Sequence, residues 1–230
     1  MLGRVIFVIS VCAIAIVFVP PLIAVEFFSQ KAEYSFRLTI KVDVDDELKE
    51  GSSVIYVAHR SPPQWVRGFF SSEAWVNGDA VFVDLGRHRN LLAALVLGPK
   101  GLSAGIQSLV PRAFDLNSYD EHGRLVGMSV PRLGSKVELR GDNIPTLVTF
   151  SNIRDPDTAR LVPPPDFPAI FGQGVTFRGA WVEITDAPVT RGLEEKLPLL
   201  QVLREKSRTI TAEPPGFHPK FYYFSRGDAS

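Results

Sequence analysis

Cysteine is all but absent from this chain. Cys12 is the only one among 230 residues, which excludes an internal disulfide and a cysteine-based metal site. Any exported domain must therefore rest on packing alone, which suits a bacterial periplasm better than a eukaryotic secretory route, where domains often carry disulfide staples. Net charge is absent as well, with 25 basic and 25 acidic residues. Phosphate binding needs a basic surface, so nucleic acid is not an expected partner. Histidine is scarce. His59, His88, His122 and His218 include no pair at H-x3-H or H-E-x-x-H spacing, so neither a histidine metal site nor a cofactor is expected. No low-complexity linker follows Ser29. The 18 Gly and 18 Pro are spread along the chain and point to many turns and few long helices.

What the chain does have is one long apolar run, Val5 to Phe28, behind Met1-Leu2-Gly3-Arg4. Spanning about 30 Å of hydrocarbon takes roughly 20 apolar residues as a helix, and Val5–Val25 meets that length. Ser10 can hydrogen-bond back to its own helix. Pro21 removes a backbone donor and presses on the preceding turn, which lipid tolerates near an interface. Pro20-Pro21 is therefore expected at the far end of the span. A cleaved signal peptide is the rival reading, but its best cleavage site, Leu22-Ile23-Ala24, puts a large residue where a small one belongs. Ile9-Ser10-Val11 before Cys12 is a poor lipobox. The expectation is a retained anchor through residues 5–25 (domain 1–28). Arg4 and the amino terminus stay cytoplasmic and the remainder is exported.

Beyond the anchor the patterning is β-rich. Tyr34–Val44 alternates Phe36, Leu38, Ile40, Val42 and Val44 with Arg37, Thr39, Lys41 and Asp43, a strand with one buried and one wet face. Asp45–Gly51 reads as an acidic turn, with Ser53–Ala58 returning as the second strand of a hairpin. Ser61–Trp75 reads as a loop. Ala80–Leu85 and Leu91–Leu97 form a second hairpin across Gly86–Asn90, and Leu91–Leu97, with no polar face, is expected to be central. Ile106, Leu109, Val110 and Ala113 have helical spacing cut short by Pro111. Asn117–Gly123 is polar and exposed. Pro145–Phe150 reads as a buried strand and Gly174–Asp186 as a long one. Asp166 can cap a helix over Phe167–Phe171 that Gly172 ends. Thr190–Lys206 has helical spacing broken by Pro198. The expected fold is mainly β, with α+β as the alternative: one antiparallel domain over residues 34–230 with a few short helices.

Chemistry-bearing patterns are sparse. Gly101-Leu102-Ser103-Ala104-Gly105 matches the G-x-S-x-G nucleophile elbow, in which a strained strand-to-helix turn lifts the serine oxygen beside a backbone oxyanion hole. Asp115 or Asp120 with His122 or His218 completes the order Ser, Asp, His. Yet Gly98-Pro99-Lys100 interrupts the strand that should enter the first glycine, so a Gly-rich turn is the plainer reading. The acids Asp43, Asp45, Asp46, Glu47 and Glu50 suggest calcium only by ligand type. Counted from Asp43, the sixth and twelfth EF-hand positions hold Leu48 and Val54, so a solvated turn guarding a sheet edge is preferred. His88, between Arg87 and Arg89, reads as surface. His122 could serve as a pH-sensitive group, though an exposed loop is the plainer account. Arg226-Gly227-Asp228 is a coincidental adhesion tripeptide. Trp65, Phe69, Phe70 and Trp75 are assigned to packing beneath a loop, ahead of an aromatic binding surface.

Several stretches in the second half go together: Pro145–Phe150, Arg154-Asp155-Pro156, Phe171-Gly172-Gln173-Gly174, Glu183–Asp186, Pro188-Val189-Thr190 and Glu194–Leu197 with Pro198. This set resembles a family of small bacterial proteins with one N-terminal span and no assigned activity. The resemblance implies a bacterial inner-membrane address and an uncleaved anchor, and it supplies no catalytic residues. The functional expectation is a single-pass envelope protein with a periplasmic domain, acting as a non-enzymatic binding or structural module with an envelope protein as partner. The alternatives are a serine hydrolase using Ser103 with His122 and Asp115, and a mobile-element or prophage accessory protein.

Overall fold

Strand periodicity organises the chain into two antiparallel sheets. The structure is a computed structural model that describes residues 29–62, 72–100, 103–116, 129–207 and 220–227. Strands β1 (Gln30–Val44) and β2 (Glu47–Ser61) pair over their full length. The connection is shorter than the sequence suggests. Asp45 and Asp46 alone make the turn, with φ of 50° and 68°, the left-handed pair that matches the twist of a two-residue hairpin. Around this hairpin the first sheet runs β11 (Ser225–Arg226), β3 (Glu73–Asp79), β2, β1, β10 (Val175–Thr185), β7 (Lys136–Glu138). The second runs β4 (Val81–Gly86), β5 (Arg89–Leu97), β8 (Pro145–Phe150), β9 (Ala159–Leu161), with β6 (Ala104–Gly105) folded back on β5.

The alternation on β1 is realised residue by residue. Tyr34, Phe36, Leu38, Ile40, Val42 and Val44 are all buried, and the residues between them are half-buried on the other face. Burying a side chain of this size contributes about 1.5–3 kcal/mol, so this one strand supplies a large share of the core. Asn90–Leu97 is buried without a break, as an unpatterned apolar run should be. The turns at Ile106–Ser108 and Phe221–Tyr223 pack against this strand. Pro145–Phe150 is buried at every position.

The corner where β3 passes into β4 joins the sheets. Gly51 of β2 approaches the Phe82 backbone so closely that a Cβ there would collide with the Phe82 carbonyl. Among the described residues there are four short α-helices besides single 3-10 turns: α1 (Leu109–Ala113), α2 (Phe167–Phe171), α3 (Leu193–Lys196) and α4 (Leu199–Ser207). α2 has the expected limits and ends at Gly172, with φ of 109°. Asp166 stands before it without a side-chain capping hydrogen bond. Arg89 instead donates to the Phe171 carbonyl at 2.9 Å, satisfying an acceptor at the helix C-terminus. The gap between α3 and α4 falls at Pro198, where the spacing broke.

Five of the described strands were not read from the sequence, and β6 and β11 have only two residues each. β7 and β9 have three residues each, too few to show a period. β3 contradicts the loop reading of Ser61–Trp75, since pairing with β2 begins at Glu73. Its alternation places Glu73, Trp75 and Asn77 outward, so its one large aromatic is on the wrong side for a strand read by hydrophobicity. Among the described residues no helix is long and apolar enough to cross a membrane. The anchor assigned to residues 5–25 lies outside them.

Candidate functional site

Ser103 does not sit on an elbow. β5 ends at Leu97, and the Ser103 amide bonds back to the Leu97 carbonyl at 3.2 Å, closing a small hairpin that continues into β6. A nucleophile elbow needs the strand to run into the serine and a helix to leave it. Here a strand leaves. The side chain is exposed and lies against Gly98, where a Cβ would overlap the Ser103 hydroxyl. Asp115 is exposed beyond the end of α1, with φ of 50°. His122, Asp120 and His218 lie outside the described residues.

The acidic hairpin tip is arranged as ion pairs. Arg178 reaches Asp43 at 3.4 Å and Arg87 approaches Asp45 at 3.9 Å. Lys41 meets Glu50 at 3.1 Å and Lys49 meets Glu47 at 2.6 Å. These exposed pairs are worth little individually. Beside them a polar depression of about 380 Å³ is lined by Asp43, Asp46, Gln173, Gly174, Thr176 and Arg178. Among the described residues no group of three His, Cys, Asp or Glu side chains could hold a metal ion.

A buried polar junction was not foreseen. His59 of β2 is 4% exposed and stacks on Tyr34 of β1. Its Nε2 lies 3.2 Å from the Tyr34 hydroxyl and 3.2 Å from the Gln107 carbonyl. Tyr34 also donates to that carbonyl at 3.3 Å. A carbonyl oxygen facing a bare imine nitrogen would be repelled, so the Nε2–H tautomer fits. Desolvation lowers the imidazole pKa below its ordinary value, and the hydrogen bond to Gln107 opposes this in part. The junction ties β1, β2 and the turn at Ile106–Ser108 together. Only the fold brings these groups into contact, across 25, 48 and 73 positions of chain.

Asp79 is a second buried junction. It is 3% exposed, and its carboxylate accepts from the Leu193 amide at 3.0 Å and the Ser225 hydroxyl at 2.7 Å. Its carbonyl accepts from Ser53 at 2.6 Å. Arg191 fastens the same region, donating to Asn77 Oδ1 and, at 2.7 Å, to the Arg226 carbonyl. Arg226 is half-buried, with its guanidinium over the Tyr222 ring. Both junctions have the character of structural ties, since their polar groups face one another.

A second concavity is apolar. It holds about 250 Å³ between Pro99, Ile144, Pro145, Leu147, Val162 and Pro163-Pro164-Pro165, with Gly141 and Asp142 at its rim. Ligand sites usually start at about 300 Å³ and combine an apolar wall with several converging polar groups. This groove has the wall and a single carboxylate. Proline offers no backbone donor, so recognition here would rest on shape. The aromatic expectation is corrected at Trp75, which is 49% exposed. Its outward neighbour across the pair is Ala58, which is too small to cover an indole. Trp65, Phe69 and Phe70 lie outside the described residues.

No family model matches the chain, and no curated protein or solved structure matches it.

Proposed function

We propose that this protein is a single-pass bacterial inner-membrane protein whose periplasmic β-rich domain is a binding or structural module of the envelope. The observation that carries this reading is the apolar run of residues 5–25, long enough to span, followed almost at once by β1 at Gln30. So short a connection tethers the sheet next to the bilayer. The resemblance in the second half of the chain supports the same address. The proline-lined groove supports a binding role, since a rigid apolar concavity suits an apolar segment of an envelope protein.

Two measurements test the proposal. The full-length protein should resist alkaline extraction from membranes, and a reporter fused after Ser230 should be active only outside the cytoplasm. Photocrosslinkers placed at Asp142 and Pro164, beside the groove, should trap a defined envelope protein in native membranes. Release by alkali overturns the anchor. A domain that crosslinks to nothing from either position overturns the binding role.

A further inference from the structure

β7 ends the first sheet, and among the described residues no strand pairs with its outer edge. Its backbone bonds to β10 fall on alternate residues. The Ser135 carbonyl accepts from the Ile184 amide at 2.9 Å, and the Leu139 amide donates to the Ala180 carbonyl at 2.8 Å. Alternation turns Val137 the same way. The amides and carbonyls of Lys136 and Glu138 therefore point outward, and an edge of this kind is a template for another strand. A second copy fits it in one register. Antiparallel pairing sets outward groups against outward groups. Lys136 opposite its own copy, or Glu138 opposite its own copy, brings like charges together, which is unfavourable. Lys136 opposite Glu138 joins opposite charges twice and leaves Val137 facing itself at the two-fold axis. Each of those pairs exchanges both of its backbone hydrogen bonds. A contact between identical patches must be self-complementary in this way. β9, another edge strand of three residues, has Arg160 at its centre, which the same arrangement would set against itself.

We propose that the protein self-associates through β7, joining the first sheets of two copies edge to edge. The proposal names a second copy as the partner in the binding role above, and it rests on that reading. Beyond the strand, the same two-fold carries Arg132 towards the partner's Asp142 and Leu133 towards the partner's Gly141. Leu133 is 64% exposed, and Gly141 and Asp142 form the rim of the proline-lined groove. Each copy thus brings an uncovered leucine to the other's apolar concavity. Lys136 also lies 3.7 Å from Glu183, and Glu138 lies 3.1 Å from Arg140. Exposed pairs of this kind are worth little, so the backbone bonds supply the attraction and the charges select the register. Three residues a side fall short of the roughly 800 Å² per partner of a stable interface, so the pair is weak unless copies are concentrated in a membrane. Its axis stands perpendicular to the sheet. A twist of about 20–25° per strand tilts both β1 strands the same way along that axis, so both anchors can enter one bilayer.

The full-length protein in native membranes tests this, with Cys12→Ser removing the native thiol. Val137→Cys then sets two thiols across the axis, with Cα atoms about 4.5 Å apart, inside the disulfide range of about 4.4–6.8 Å. Mild oxidation should trap a dimer. Leu48→Cys, at the exposed hairpin tip, should trap several-fold less. Two copies carrying different tags read the register without any cysteine. Lys136→Glu and Glu138→Lys should each lower recovery of one tag with the other, because each variant sets like charges together. Recovery should return when one copy carries Lys136→Glu and the other Glu138→Lys, since every Glu then meets a Lys. Unchanged urea midpoints for both variants would place the losses in association. No dimer at 137, or equal trapping at 48, overturns the self-association. Charge variants that associate as well as the native chain, or that mixing does not restore, overturn the register. The crosslinker at Asp142 separates this from the broader reading. A different envelope protein trapped there, with no dimer at 137, overturns the self-association and leaves the binding role standing.

Discussion

A Cβ at Gly51 would collide with the carbonyl of Phe82, which makes a single hydrogen atom the condition for closing β2 against β4. Forcing a methyl group into a packed contact costs about 1–3 kcal/mol. Gly51→Ala should lower the unfolding free energy by that amount, seen as a lower urea midpoint with little change in slope, and an unchanged midpoint would show that the sheets can separate there freely. His59 makes a pH prediction. Its folded-state pKa is lowered by desolvation, so the unfolded chain takes up a proton more readily. The stability linked to this group is therefore complete above the unfolded value of about 6.5 and is lost as pH falls through the lower folded value. Thermal melts between about pH 7.5 and 5 should show this loss. His59→Gln, which does not titrate, should flatten that part of the profile while lowering stability throughout.

Among the elements, the C-terminal segment is fixed more firmly than its composition suggests. Phe224 is fully buried and meets Phe150 edge-to-face at 6.0 Å, its carbonyl accepts from Ala80 at 2.7 Å, and Ser225 bonds the Asp79 carboxylate. Phe224→Ala should cost about 3–5 kcal/mol, and hydrogen exchange should show the loss spreading to β3 and α3 through Asp79. Loss confined to 220–227 would mean that the segment is an appendage. Legibility in the sequence follows the same division. β1, β5, β8 and β10 were readable because each carries a complete period or an unbroken apolar run. β3 was not, because its outward tryptophan inverts the pattern, and β11 has only two residues. The His59–Tyr34–Gln107 junction could not be read at all, since its members meet only through strand pairing. Ser103 misled for the opposite reason. Its motif is local, but the chemistry depends on what enters and leaves the turn, and here a hairpin occupies the place of a strand-to-helix elbow.

At the scale of the whole molecule, the proposed anchor raises the question of whether span and sheet fold as one unit. In that proposal only residues 26–29 connect the span of residues 5–25 to β1, which starts at Gln30. A Gly/Ser chain of n residues spans about 5–6 Å times the square root of n, so a short insert between Ser29 and Gln30 separates the two without touching any described core contact. Alkaline extraction and the urea midpoint of the full-length protein should therefore be unchanged by the insert. A midpoint that falls as the insert grows would show that β1 draws stability from the anchor itself, so that span and sheet form one folding unit.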